Sequence, residues 1–413
     1  MRGSSWTSFV ASRWFLRSRG ETGPSLAPST AGIAVGVAAL LCVIGVMNGF
    51  QLSFIDAVLD LDSYHLRIPS DSADIDAIRK ALPDSETIMP FVDVRTMMSN
   101  AQGKATALRI KIIPDEAFMV DPAMASRIEL RSGERTGGLL IGSVLSRSLN
   151  LRVGDTVSVL HVSADIELGI ETRMVDIHVA GIYHSGYYDY DAALAFLNES
   201  SSHQLASGEI PILGIRLHDR YDDARALASL SRAGIVGAQS WREYNRAFFG
   251  ALRMEKSVMM MLVGLIFLVV GVNIFHSMRK AVYGRVEDIA TMKALGSGSK
   301  DIRGIFMLDG MIAGLGGASL GLFLGLLVAM NVNAVFSGIE TVVAFMYTVL
   351  GRSGSGFQFF SPDLFYIGDV PVRLSFPETF FIFAAGAFSA LAAAWAASSR
   401  VSRILPSEVL RDE

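Results

Sequence analysis

The histidines, serines and acidic residues of this sequence form no pattern that would support catalysis. No G-x-S-x-G or S-x-x-K string stands out together with the partner residues that a catalytic serine needs. Acidic residues are abundant between positions 51 and 255, but no two of them have a mechanistic context. Four histidines are scattered without the spacing of metal ligands: His161, His178, His184 and His218. We predict that the chain is not an enzyme, that it binds no metal or cofactor itself, and that 51–255 is a binding or mechanical module.

A glycine-containing run that ends in Lys300 superficially suggests a phosphate-binding loop. A Walker A motif reads G-x-x-x-x-G-K-[ST], so that backbone amides surround the phosphates. Here Asp301 follows the lysine, and no glycine directly precedes it. The sequence therefore predicts no ATP site on this chain.

Four long stretches contain no charged residue: 22–55, 257–278, 310–339 and 379–399. Each can supply the roughly 20 apolar residues that cross a bilayer as a helix. With 51% hydrophobic and 18% charged residues and a mean hydropathy of +0.41, the chain is too apolar for a soluble protein of its length. We predict a membrane protein with four transmembrane α-helices, arranged one plus three, and a large α+β extracytoplasmic domain between helices 1 and 2.

Basic residues near the ends of these stretches predict the orientation. They are concentrated before the first stretch, between the second and third, and after the fourth, so both termini should be cytoplasmic. The first stretch shows no cleavage site near its end and should be an uncleaved anchor. Before it, Trp6, Arg13 and Trp14 recur at near-helical spacing, which suits a helix in the inner headgroup layer, with a loose basic tail as the alternative.

The predicted organisation has nine parts along the chain. They are a cytoplasmic N-terminal interfacial helix at 1–27, transmembrane helices at 28–50, 256–279, 305–335 and 378–399, an outward-facing α+β domain at 51–255, a cytoplasmic loop with a short helix at 280–304, an outward-facing loop at 336–377 and a cytoplasmic tail at 400–413. The outward side is the periplasm if the cell has two membranes.

Charge and residue counts argue against three features: a nucleic-acid partner, an internal disulfide and ion-coupled transport. The net charge of −4 and the lack of a basic run exclude a nucleic-acid partner. Cys42 is the only cysteine, so no disulfide can form within the chain. Asp309, near the cytoplasmic end of its helix, is the only charged residue in a predicted span that is not at a terminal position of that span, which argues against an ion-coupled carrier.

Glycines in the apolar stretches recur three or four residues apart. Small residues at this spacing let helix backbones approach closely in lipid. Packing within one four-helix bundle and packing at a subunit interface are both compatible with the pattern. The candidate helix-packing residues are Gly32, Gly36, Gly317, Gly321 and Gly325.

Local patterns predict secondary structure in two places. In the outward domain, alternation predicts strands at 156–161 and 175–182, and helices are expected at 74–82, 143–150 and 224–233. In the loop after the second span, a short amphipathic helix should end at the Gly296 cap, and a second helix should start near Lys300. The first of these two helices, which ends at Gly296, should contain Glu287, Asp288, Ile289, Met292 and Leu295.

Two segments carry a resemblance to a known family. The run 286–305 resembles the loop of the FtsX/MacB-type permease superfamily, which shares the one-plus-three topology. The string Val46-Met47-Asn48-Gly49-Phe50 is similar to the string that closes the first span in lipoprotein-releasing ABC transporter permeases of the LolC/LolE type. Shorter similarities at 186–191 and 406–410 extend the resemblance along nearly the whole chain.

The resemblance implies a bacterial inner-membrane permease that works with other chains. A cytoplasmic ABC ATPase would hold ATP and Mg²⁺, and a second permease, either a paralogue or an identical copy, would complete the complex. The complex would extract a lipoprotein from the surrounding membrane lipids and pass it to a periplasmic carrier. Implied ATPase contacts are Glu287, Asp288, Ile289, Ala290, Lys293, Ala294 and Gly296; implied substrate-cavity residues are Val46, Met47, Asn48, Phe50 and Phe54.

The sequence departs from the family pattern in two segments. The insertion around 338–359 is longer than the family's, and either a periplasm-facing amphipathic helix or a re-entrant segment would account for it. The segment 163–173 lacks the proline-rich character of the loop by which one paralogue grips the carrier, which argues against carrier contact at this segment. A peptide or drug exporter, or a regulator of cell-wall hydrolases, of the same superfamily is the alternative function.

Overall fold

The computed structural model describes residues 27–71, 74–165, 169–202, 205, 210–349 and 370–399. It divides into two compact units, which we call the helical unit and the sheet unit. As far as they are described, the helical unit holds residues 27–51, 252–349 and 370–399, and the sheet unit holds 52–251. The interfacial helix predicted before Ala27 and the tail at 400–413 lie outside the described residues.

Six helices are labelled in chain order. They are α1 (Ala27–Ala57), α2 (Arg246–Tyr283), α3 (Val286–Ala294), α4 (Ser299–Met330), α5 (Val332–Val349) and α6 (Phe376–Ser398). Among the described residues, α1, α2, α4 and α6 are long and apolar enough to cross a membrane. A shared apolar core, including Val37, Ile274, Phe306 and Ala390, joins these four helices and α3.

The helix predicted across 305–335 is interrupted in the structure. α4 ends at Met330, and α5 starts at Val332 as a separate helix. The side chain of Asn331 donates to the carbonyl of Leu327 at 2.9 Å, and its backbone N–H donates to Val328 at 3.2 Å. Asparagine side chains compete with helical backbone bonds in this way, which accounts for the break.

The sheet unit is built on a mixed ten-stranded sheet. The strands are β1 (Leu66–Pro69), β2 (Ser85–Ser99), β3 (Ala105–Ile113), β4 (Glu129–Gly133), β5 (Leu139–Gly142), β6 (Thr156–Asp165), β7 (Gly169–His184), β8 (Leu194–Asn198), β9 (Ile212–Leu217) and β10 (Gln239–Ser240). Their order is β10-β1-β9-β2-β3-β8-β5-β7-β4, and β6 pairs with β2 and β7. The β3–β8 and β5–β7 pairs are parallel.

Short helices of the sheet unit connect the strands. They are Ile75–Ala81, Ala117–Val120, Pro122–Arg127, Ser143–Leu149, Tyr188–Ala193, Asp223–Arg232 and Trp241–Tyr244, with 3₁₀ turns at Glu199–Ser201 and Arg220–Asp222. The five helices and strands that local patterns predict in this domain are all present. The strand predicted at 156–161 continues to Asp165, because its ladder with β7 extends to the pair Asp165–Gly169.

Candidate functional site

Helix α3 has one face in the core and one face exposed. Ile289 and Ala290 are fully buried, and Ile289 belongs to the shared apolar core of the helical unit. Glu287 and Asp288 are exposed, and Leu295 directly after the helix is 82% exposed. The sequence implied that Ile289 and Ala290 meet a partner, but their burial gives them the role of holding α3 in place. The exposed face of α3, with Glu287, Asp288 and Leu295, is the part of the helix that another protein can contact.

The end of α3 is fixed by a left-handed glycine. Gly296 has a φ of +95°, a conformation that residues with a Cβ rarely adopt. Its N–H donates to Lys293 at 3.0 Å, and the N–H of Ser297 donates to Met292 at 3.0 Å. These bonds satisfy the last carbonyls of α3, as in a Schellman cap, and hold Leu295 at the exposed corner.

An ion pair joins the start of α3 to α4. The guanidinium of Arg285 lies 3.7 Å from the carboxylate of Asp309, and the two side chains are only 12% and 3% exposed. The other carboxylate oxygen of Asp309 has no hydrogen-bond partner among the described residues. Sequence reasoning placed Asp309 near a span end but missed its partner. A lone carboxylate in an apolar helix was the available signal, because such a group requires a cation nearby.

Glycines on α4 lie against two other helices. A Cβ added at Gly321 would lie 2.5 Å from the carbonyl oxygen of Ala34, and one at Gly317 would lie 2.8 Å from that of Thr30. Gly325 similarly approaches Ala38 on α1. We call Gly317, Gly321 and Gly325 the glycine seam. On the same helix, Gly310 and Gly314 face Ala394 and Ala390 of α6.

The two candidate packing glycines on α1 differ from the seam. A Cβ at Gly36 would meet the side chain of Val270 at 3.3 Å, so this residue lies against α2. A Cβ at Gly32 would meet no described atom within 4 Å. Of the five candidate packing glycines, the three of the seam therefore make the closest contacts with a neighbouring helix.

An apolar cavity of about 170 Å³ lies between α1, α2 and α6. Its walls consist of residues from all three helices: Ile44, Met47, Asn48, Gln51, Lys256, Met259, Met260, Val263, Pro377, Glu378, Phe381 and Ile382. Of the five candidate cavity residues, Met47 and Asn48 line it, and Val46 and Phe50 do not. Phe54 belongs to the sheet unit, where its ring centroid lies 4.8 Å from that of Phe248.

Two polar side chains of the cavity, Lys256 and Asn48, both bind the carboxylate of Glu378, and we call these three residues the bonded polar set. Lys256 Nζ lies 2.7 Å from Glu378 Oε1, and the amide of Asn48 donates to Glu378 Oε2. Sequence reasoning missed both charged residues, although each borders an uncharged stretch. Met259 and Met260 add flexible, polarisable surface that adapts to irregular apolar shapes. The cavity combines an apolar lining with a few placed polar groups, as ligand pockets do.

Three cations of the sheet unit bind five consecutive carbonyls at the helical segment Val58–Ser63, which follows α1 directly. We call Arg67, Lys111 and Arg216 the cation collar. Arg216 donates to the carbonyl oxygens of Leu59 and Asp60, at 3.2 and 2.8 Å. Lys111 donates to those of Leu61 and Asp62, at 2.9 and 2.6 Å. Arg67 donates to those of Asp62 and Ser63, at 2.6 and 3.1 Å. Helix C-termini leave these carbonyls unpaired and favour positive charge. The collar therefore fixes the end of this helix to the sheet.

Carboxylates balance the charge of the collar. Arg216 pairs with the fully buried Asp121 at 2.8 Å, and Arg67 pairs with Asp62 at 3.1 Å. Burial lowers the pKa of Lys111 to about 7, against the opposing effect of the nearby Asp93 and Asp62. The ammonium also lies 4.5 Å from the ring centroid of Phe91. Removing one member of such a buried network would leave a buried charge without its partner, which is strongly destabilising.

A serine, a histidine and an aspartate meet in the sheet unit without forming a catalytic relay. Ser143 Oγ and Asp191 Oδ2 both lie near the same atom, His184 Nδ1, at 3.5 and 3.1 Å. A relay requires the serine and the carboxylate on opposite ring nitrogens. The other oxygen of Asp191 accepts from the N–H and the hydroxyl of Ser185 at 2.9 and 2.6 Å. Asp191 thus joins the short helix Tyr188–Ala193 to His184 and Ser185 at the end of β7.

Both halves of the chain match family models. Residues 27–233, half of the chain, match the MacB-like periplasmic core domain, and residues 260–406 match the FtsX-like permease C-terminal. The chain belongs to the FtsX/MacB-type permeases. This match confirms the superfamily resemblance of the loop and span motifs.

Relatives of the permease are similar over more than nine-tenths of its length. It is 27% identical to the lipoprotein-releasing system transmembrane protein LolC of Xylella fastidiosa, with 93% of each chain covered. It is 25% identical to the lipoprotein-releasing system transmembrane protein LolE of Haemophilus influenzae, with 92% of this chain and 93% of the relative covered. The solved periplasmic region of MacB from Actinobacillus actinomycetemcomitans covers 46% of this chain and 95% of its own, at 9% identity and a TM-score of 0.29.

Proposed function

We propose that this permease is the transmembrane subunit of an ATP-driven complex that extracts lipoproteins from the outer leaflet of the inner membrane. A periplasmic carrier would receive the extracted lipoprotein. The observation that carries the proposal is the similarity to lipoprotein-releasing LolC and LolE proteins, which runs through both units of the chain. The apolar cavity with its bonded polar set supports it.

The orientation that suits this function places α3 in the cytoplasm and the sheet unit in the periplasm. Arg279, Lys280, Arg285, Lys293 and Lys300 lie in or beside α3, and basic residues favour the cytoplasmic side. With four candidate spans, this orientation also places both termini in the cytoplasm. The large sheet unit then faces the compartment in which a soluble carrier operates.

The work of extraction explains the need for ATP. Each buried CH₂ of an acyl chain contributes about 0.8 kcal/mol to membrane anchoring, so two or three chains do not leave the bilayer spontaneously at a useful rate. In this proposal, ATP and Mg²⁺ bind to a separate ATPase chain of the complex. Motion of α3 would pass through the Arg285–Asp309 pair to α4.

Leu295→Glu is expected to weaken binding of the ATPase by roughly tenfold or more, because a large apolar side chain at the exposed corner would become a charge that must be desolvated. Binding is measured by co-purification of the two chains at graded ATPase concentrations. Val236→Glu is the matched control, since Val236 is 76% exposed in the sheet unit. Equal binding by both variants would remove Leu295 from the docking face.

Met260→Asp is expected to lower lipoprotein release by about tenfold, because it places a carboxylate in the apolar wall of the cavity without a partner. Met254→Asp on the same helix is the control, since Met254 is 71% exposed and does not line the cavity. Both variants should retain wild-type levels in the membrane. Equal release by both would show that substrate does not enter this cavity.

Reconstitution tests the function itself. The complete complex in proteoliposomes, loaded with a tri-acylated lipoprotein, should transfer it to a soluble carrier only when ATP is hydrolysed. Transfer that is the same with ATP as without it, while the complex hydrolyses ATP normally, would contradict lipoprotein release and favour the exporter or regulator function.

A further inference from the structure

Helix α5 carries an exposed apolar face that the proposed function does not use. Its exposed apolar side chains are Val335, Ile339, Val342, Phe345, Met346 and Val349, each between 39% and 70% exposed. They are separated by three or four residues, or by sums of these, which places them along one side of a helix. An apolar face of this kind requires a partner that removes it from water.

The opposite side of α5 is polar. Ser337 and Thr341 are exposed. The hydroxyl of Ser337 donates to the carbonyl of Ala334 at 3.0 Å, and the hydroxyl of Thr341 donates to the carbonyl of Ser337 at 2.8 Å. Asn333 on the same side accepts the backbone N–H of Val370 at 2.9 Å. The helix is therefore amphipathic, whereas a re-entrant segment surrounded by hydrocarbon would be apolar on every side.

The position of α5 in the chain identifies the partner. Asn331 alone separates it from the candidate span α4. The last turns of α4 are exposed and apolar, with Phe323 at 64%, Leu327 at 48% and Met330 at 80%. A span whose apolar surface continues to its last residue reaches the edge of the hydrocarbon there. Since one residue cannot carry the chain far from that edge, α5 starts at the bilayer surface.

We propose that α5 is a lipid-binding helix that lies in the membrane interface. Its face from Val335 to Val349 contacts acyl chains, and the face with Ser337 and Thr341 contacts headgroups and water. The 18 residues of α5 span about 27 Å along the membrane surface. The partner is the phospholipid surface itself, and in the orientation proposed above this is the outer leaflet.

The single cysteine of the chain makes a direct test possible. In a Cys42→Ala background of the full chain, nitroxide labels are placed one at a time at Ile339, Val342 and Met346, and at Ser337 and Thr341 on the polar face. The protein is reconstituted in vesicles of phosphatidylcholine and phosphatidylglycerol. Collision rates with oxygen, which enriches in lipid, and with a neutral nickel chelate, which stays in water, are measured by electron paramagnetic resonance. Leu324, 41% exposed on α4, serves as the lipid-facing reference.

The apolar positions are expected to favour oxygen over nickel as Leu324 does, and Ser337 and Thr341 to show the reverse. Three other results would each overturn the proposal. Nickel access at Val342 equal to that at Ser337 would place α5 in water. Low access to both reagents at Val342 would show that protein, such as a second permease, covers the face. Oxygen preference at all five positions would make α5 re-entrant.

Discussion

Gly321→Leu is expected to prevent α4 from packing on α1 and to reduce the folded permease in the membrane severely. The new side chain would meet the backbone of α1, with its Cβ 2.5 Å from the carbonyl oxygen of Ala34. Backbone atoms cannot move aside as a flexible side chain can, so the cost reaches about 3 kcal/mol or more. Lipid supplies no hydrophobic force that would hold the separated helices together.

The control for this substitution lies on the same helix. A Cβ at Gly316 would meet no described atom within 4 Å, so Gly316→Leu should leave the folded amount near wild type. The folded amount is measured as the monodisperse fraction after mild detergent extraction, together with resistance to protease. Equal losses in both variants would show a general effect of leucine on α4, and no loss in Gly321→Leu would contradict close packing at the seam.

Arg216→Met is expected to destabilise the sheet unit by about 3–5 kcal/mol, the usual cost of breaking a buried ion pair by removing one partner. Asp121 is fully buried, and its carboxylate would lose the guanidinium that lies 2.8 Å away. The carbonyls of Leu59 and Asp60 would lose donors as well. Methionine preserves much of the volume, so the change isolates charge and hydrogen bonding.

Arg225→Met is the matched control for Arg216→Met. Its side chain is 87% exposed and pairs with Asp222 on the surface, where such a pair contributes about 0–1 kcal/mol. Limited proteolysis of the full chain across a urea series reports the loss of the sheet unit. Similar midpoints for the two variants would show that the cation collar does not stabilise this part of the chain.

Patterns that repeat within a short stretch were predictable from the sequence. The span helices follow from uncharged stretches, and α3 with its Gly296 cap follows from spacing and turn chemistry. The end of α4 was misplaced because apolar residues continue past Asn331, and composition alone does not register the hydrogen bond that stops the helix.

Contacts between distant segments were not predictable. Lys256 and Glu378 are separated by 122 positions and meet only because α2 and α6 pack together. Arg216 lies in a globular segment, where an arginine is usually at the surface, so its burial was not predictable from the sequence. In the structure it is only 3% exposed. The family resemblance implied Met47 and Asn48 on α1, and both line the apolar cavity. The walls from α2 and α6 depend on how the helices pack together.

Depletion of the permease, followed by fractionation of the inner and outer membranes, tests the central claim most directly. If it extracts lipoproteins, those destined for the outer membrane should accumulate in the inner membrane fraction before growth stops. An unchanged lipoprotein distribution, with failure of drug resistance or cell division instead, would contradict lipoprotein release.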